Sequence, residues 1–113
     1  MSQQDIKDLE DNMKELQKVI DQKHSLDRLL KNRDFKRVIE NDYLRDEAVR
    51  LVHLRADPNM QDPSRQESIN KQIDAIGYFT AFLDMIGQRA DGAREAFDEC
   101  EEVRAELEQE SEA

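Results

Sequence analysis

The stretch ADPNMQDP, residues 56–63, is the one convincing loop in the chain, and its reading sets the fold. Asp57 precedes a proline, which pushes it out of the helical region, so a helix arriving from the N-terminal side ends there. Asp62–Pro63 reads the opposite way: a capping carboxylate followed by proline at the first helical position opens a new helix. On both sides of the loop apolar residues recur with a helical period. A chain that turns once between two long helical runs folds back on itself.

Working toward the C-terminus, one long helix is expected over residues 63–110. Ala75, Phe79, Phe82, Ile86, Ala93, Ala96, Cys100, Val103 and Leu107 keep a three–four rhythm, with Arg89 as a polar exception. Ile69, Ile73, Ile76 and Leu83 widen the stripe over its first half. The FTAF stretch beside Tyr78 concentrates aromatic residues and reads as the centre of the main core or of a subunit interface. Glycine costs about 1 kcal/mol relative to alanine in a helix interior. Gly77 is therefore either a close approach of another helix or a residue that a strong stripe tolerates, and a bend is expected near Gly87–Gly92.

Toward the N-terminus there are two helical segments, 3–31 and 34–56. In the first, Ile6, Leu9, Met13, Leu16 and Ile20 step by three and four, the seam of a coiled coil. The seam breaks at Lys23 and Asp27, while Val19, Leu26 and Leu30 continue on a shifted face, as in a stutter. Asn32 offers a capping side chain, so NRD is expected to be a joint. The second segment presents Phe35, Val38, Ile39, Leu44, Ala48, Leu51, Val52 and Leu54 before the 57–62 loop. The fold class is all-α: a long antiparallel helical hairpin, or a three-helix bundle, with coiled-coil character, in one domain over 1–113. Either arrangement leaves part of the apolar stripe uncovered in a monomer, so self-association is expected.

Composition agrees. Charged residues make up 39% and the hydrophobic set 37%, with three glycines and two prolines, which suits long, partly exposed helices better than a compact globule. The net charge is −10, and residues 91–113 hold ten acids against Arg94 and Arg104. Such acidity argues against direct nucleic-acid binding. Negative charge at a helix C-terminus opposes the macrodipole. The acidic tail is thus either a solubilising tip or the docking point of a basic partner, for instance the Lys7, Lys14 and Lys18 face of a neighbouring copy. Cys100 is the only cysteine, which suits a reducing cytosol. No leader pattern opens the chain and no run reaches the length of a membrane span.

The densest group of potential chemistry is DYLRDEAVRLVHLRADP, residues 42–58. At helical spacing Leu44, Ala48, Leu51 and Val52 read as its buried stripe. Asp42 reaches Arg45 or Asp46, Asp46 reaches Arg50, and Glu47 pairs with Arg50. A metal site needs His, Cys or carboxylate groups converging at spacings such as HExxH. His24 and His53 lie on different segments without such neighbours; Asp21 with His24 is the nearest approach. Cys100 lies among acids that discourage thiolate formation. No catalytic residue, cofactor site, metal ligand or small-molecule substrate is read from the sequence. The interface candidates are Ile6, Leu9, Met13, Leu16, Tyr43, Tyr78, Phe79, Phe82, Val103 and Leu107.

The run RLLKNRDFKRVIENDYLRDEAVRLVHLRADPNMQ, followed by INKQIDAIGYF, resembles small helical proteins encoded among the virion genes of tailed bacteriophages. The shared features are a leucine pair before N-x-DFK-x-VI, then YL-x-x-EA-x-RLV, then ADP, and later I-x-x-QI-x-AIG. They cover residues 28–79, under half the chain. The resemblance implies a non-enzymatic structural or assembly protein, assembled in the host cytoplasm and located in the virion, with capsid, portal or tail proteins as partners. It transfers no catalytic residues. Two other roles fit the sequence: a scaffold or assembly chaperone absent from the mature particle, and an acidic inhibitor of a host nucleic-acid-binding protein. The last predicts acids spread along the body, whereas here they gather in the tail.

Overall fold

The structure is a computed structural model that describes residues 2–112. It is all-α, with no strand among the described residues. Helix α1 spans Ser2–Leu30, α2 spans Arg33–Phe35, a π-helix spans Lys36–Glu47, α3 spans Ala48–Ala56, a 3₁₀ turn spans Pro58–Met60, and α4 spans Pro63–Glu112. The chain divides into two compact units: residues 1–26 with 85–113, and residues 27–84.

The second unit begins at the end of α1. There the N–H groups of Lys31 and Asn32 donate to the carbonyls of Arg28 and Leu29 at 3.1 and 3.0 Å, the tighter pattern that closes many helix ends. Asn32 is extended, and its side-chain oxygen accepts the Phe35 N–H at 3.0 Å, a cap of the kind that contributes about 1 kcal/mol. From Arg33 the chain stays helical to Ala56, but Lys36–Glu47 is wound as a π-helix. Half-buried residues along and beside it match the wider turn: Phe35, Ile39 with Glu40, Tyr43 with Leu44, and Glu47 with Ala48 recur every four to five positions.

The structure corrects two expectations for this segment. Val38, counted among the apolar positions of this segment, is 54% exposed, and Val52, read as buried, is 58% exposed. The buried face instead passes through Leu44, Ala48, Leu51 and Leu54, with Leu51 at 1% exposure as its centre. Val52 lies about 100° around the helix from Leu51 and faces water.

Side chains close the reversal at 57–63. Asp57 accepts the Asn59 N–H at 2.8 Å, and Asp62 accepts the Arg65 N–H at 3.0 Å. Gln61 donates to the carbonyls of Arg55 and Asp57 at 2.9 and 2.7 Å, and Gln66 donates to those of Arg55 and Met60 at 3.1 and 2.7 Å. Both glutamines thereby serve the Arg55 carbonyl at the end of α3 and tie it to carbonyls of the turn that follows. The returning helix packs Ile69 and Ile76 against Leu51, with Tyr43, Leu44, Leu54, Met60 and Ile73 around them. Tyr43 and Phe79 meet edge to face, ring centroids 6.1 Å apart, a geometry worth roughly 0.5–1.5 kcal/mol beyond burial.

This packing fixes the face of α4 from Ile69 onward, and Ile73, Ile76 and Leu83 follow it inward. Ala75 and Phe82, placed on the stripe by the sequence pattern, are exposed; Phe82 is 48% accessible, so FTAF does not form the core. Phe82 sits about 100° from Leu83 and turns outward.

In the first unit α1 and the second half of α4 run in opposite directions. Asn12 reaches Cys100 near one end, and a side chain placed at Gly87 would touch Lys23 Cε at 3.5 Å near the other. The pairing sets large against small: Met13, Ile20 and Leu26 are buried on α1, while Ala90, Ala93 and Cys100 are buried on α4 beside Ile86. α4 is helical through Gly77, Gly87 and Gly92. A Cβ at Gly77 would meet nothing within 4 Å, so close approach does not account for that residue.

Leu51→Ala should cost about 2–5 kcal/mol, whereas Phe82→Ala should cost roughly 1 kcal/mol or less. Urea unfolding followed by far-ultraviolet circular dichroism checks both, and equal losses would contradict the exposure of Phe82. Gly77→Ala should raise stability by about 0.5–1 kcal/mol, because its backbone is helical and the added methyl has space.

Candidate protein–protein interface

The ten interface candidates separate into two groups. In the first unit, Met13 is buried, while Ile6, Leu9, Leu16 and Leu107 are half-buried. In the second, Tyr43 and Phe79 are half-buried against one another. Three remain open to solvent: Tyr78 at 75% exposure, Phe82, and Val103. Tyr78 and Phe82 are four residues apart on α4 and share a face. Leu29, Val38, Val49 and Val52 are also exposed, though the sequence pattern singled out none of them as contacts. Val49 and Val52 form a pair at i,i+3 on α3. Monomeric proteins expose single apolar side chains routinely, but pairs of large ones on helix faces are the usual material of contacts.

Two grooves accompany these faces. One, of about 280 Å³ in the first unit, brings Met13 and Phe97 together with Glu10, Lys14, Glu101 and Arg104. The other, of about 320 Å³ in the second, is lined by Tyr43, Glu47, Leu51, Gln72, Ala75 and Ile76. Their linings join apolar floors to long charged or amide side chains, as helix–helix grooves do.

The potential chemistry resolves into local pairs. Arg50 donates to Glu47 at 2.7 Å, and Arg45 pairs with Asp46 at 3.1 Å; Asp46 does not reach Arg50. Asp21 accepts from Gln17 at 2.9 Å, while His24 turns to Arg94, Nε2 to Nη2 3.4 Å. A guanidinium only donates, so Nε2 of His24 is the acceptor there, and Asp21 and His24 do not assemble as a ligand pair. His53 is exposed on α3. Among the described residues no three His, Cys, Asp or Glu side chains are placed to share a metal ion. Cys100 is buried, its sulfur receiving Asn12 Nδ2 at 3.7 Å. Among the described residues no helix is long and apolar enough to cross a membrane.

The acids of the tail are arranged differently from those of residues 42–58. α4 is helical to Glu112 with no basic residue in its last turn. Among the described residues none of the acids from Asp91 to Glu112 forms an ion pair; Lys18 pairs with Glu15 on its own helix at 2.8 Å. Comparison with family models, curated proteins and solved structures finds no match.

Proposed function

We propose that this chain is a non-enzymatic assembly protein of a tailed-phage particle, acting through helix-mediated contacts with copies of itself and with capsid, portal or tail components. The observation that carries the reading is the set of large apolar side chains left in water on the second unit, above all Tyr78 with Phe82 and Val49 with Val52. The phage setting comes from the resemblance over residues 28–79, which falls inside the compact unit 27–84 that bears these side chains. A segment that forms one compact unit and displays apolar pairs is suited to be the recognition module, with the acidic remainder as an appendage.

Mass spectrometry of purified particles from cells carrying the gene should find the protein at a fixed copy number. Presence in immature particles alone would make it a scaffold, and absence from both would end the reading. The double substitution Tyr78→Ser with Phe82→Ser should leave helicity intact and lower the copy number severalfold. Unchanged incorporation would move the contact off that face.

A further inference from the structure

The charges are sorted between the units. Residues 1–26 with 85–113 hold sixteen acids and seven bases, while residues 27–84 hold eleven acids and ten bases. Within the second unit the bases are themselves concentrated. Arg28, Lys31, Arg33, Lys36 and Arg37 fall within residues 28–37, where Asp34 is the one acid, giving a net charge of +4. Lys31, Arg33, Lys36 and Arg37 are exposed, and among the described residues none of these four forms an ion pair. Two exposed apolar side chains, Leu29 and Val38, flank them. The joint between α1 and α2 therefore offers unpaired cations and apolar contacts on one short stretch.

The end of α4 has the complementary character. Residues 101–112 carry six glutamates against Arg104, a net charge of −5. The negative end of the helix dipole adds to them, and no base in the last turn offsets it. Val103 is exposed within this stretch. We propose that the basic joint of one copy, residues 28–38, receives the acidic helix end, residues 101–112, of a second copy. This names a partner for the assembly reading and rests on that reading only for its setting.

The contact is heterologous: each copy has one joint and one helix end, so association continues head to tail and either closes into a ring or propagates. A second copy is favoured over nucleic acid as occupant. The rest of the molecule is strongly acidic and repels a polyphosphate, and Leu29 and Val38 suit an amphipathic helix better than a phosphate chain. Exposed charges make such a contact sensitive to salt.

The test is sedimentation equilibrium of the full chain at micromolar concentration. Species heavier than 13.3 kDa are expected at about 0.05 M salt, with association weakened roughly tenfold or more at about 0.5 M. Reversing the joint (Arg33→Glu, Lys36→Glu, Arg37→Glu) should abolish association, as should reversing the helix end (Glu102→Lys, Glu106→Lys, Glu110→Lys). An equimolar mixture of the two reversed chains should associate again, because each then offers the charge the other needs. If circular dichroism shows that a reversed chain has lost helicity, the glutamine versions of the same positions take its place. The proposal is overturned if the unchanged chain is monomeric at every salt concentration, if the joint-reversed chain associates as well as the unchanged one, or if the mixture stays monomeric. It is likewise overturned if the joint binds a short DNA duplex and its reversal removes that binding while self-association persists. Absence from phage particles with intact charge-swap rescue would end the phage reading alone.

Discussion

A helix packed against a single neighbour buries one stripe of its surface and leaves the rest to water. Each unit here is of that kind, so the positions of the stripes govern everything else. In the second unit Leu51 is the fixed point: Ile69 and Ile76 close on it, and the phase of α4 follows. Once Leu51 and Ile69 face inward, Val52 and Phe82 are turned out, whatever their hydrophobicity. In the first unit the stripe is solved differently, with Ala90, Ala93 and Cys100 offering little bulk where Met13 and Ile20 supply it. Small residues on one helix let the other come close, which recovers dispersion contacts that two large stripes would obtain at greater separation.

Features set by local chemistry were legible in the sequence. Asn32 caps, Asp57 ends a helix before Pro58, and Asp62–Pro63 begins one, because each depends on a side chain and its own backbone neighbours. The phase of the stripes was less legible. A helical period near 3.6 is a good guide until the backbone departs from it, and Lys36–Glu47 does so. Beyond that run, in α3, Leu51 sets the phase: Leu54 lies about 60° around the helix from it and is half-buried, whereas Val52 lies about 100° away and is exposed. On α4 the pattern offered two interleaved stripes, one through Phe82 and one through Leu83. Only the tertiary anchor at Leu51 chooses between them.

The candidate site shows the same division. Within residues 42–58 Asp46 and Glu47 are held by arginines one and three positions away, and such exposed pairs contribute roughly 0–1 kcal/mol each; their service is solubility on the outer face of a half-buried helix. The basic joint went unread because charge was balanced over longer stretches. Residues 32–57 hold six acids and six bases, yet their first six residues, Asn32–Arg37, hold three bases and one acid. Neutrality over a long stretch hides a sharp local excess, and protein surfaces recognise partners over short distances, about a Debye length.

Charge sorting also limits how copies can meet. The first unit has a net charge of −9 and the second −1. A symmetric contact through two first units would set acid against acid, at a cost that falls only as salt rises. A symmetric contact through two second units carries little net charge either way, but it would bring basic joint to basic joint wherever residues 28–37 took part. Contacts between unlike units avoid both penalties. They also supply cations to a helix end whose last turn has none of its own, where Glu102, Glu106 and Glu110 repel one another at i,i+4. Helix stability alone would not favour those three glutamates, and an opposite charge brought by a neighbour turns the same arrangement into an attractive one.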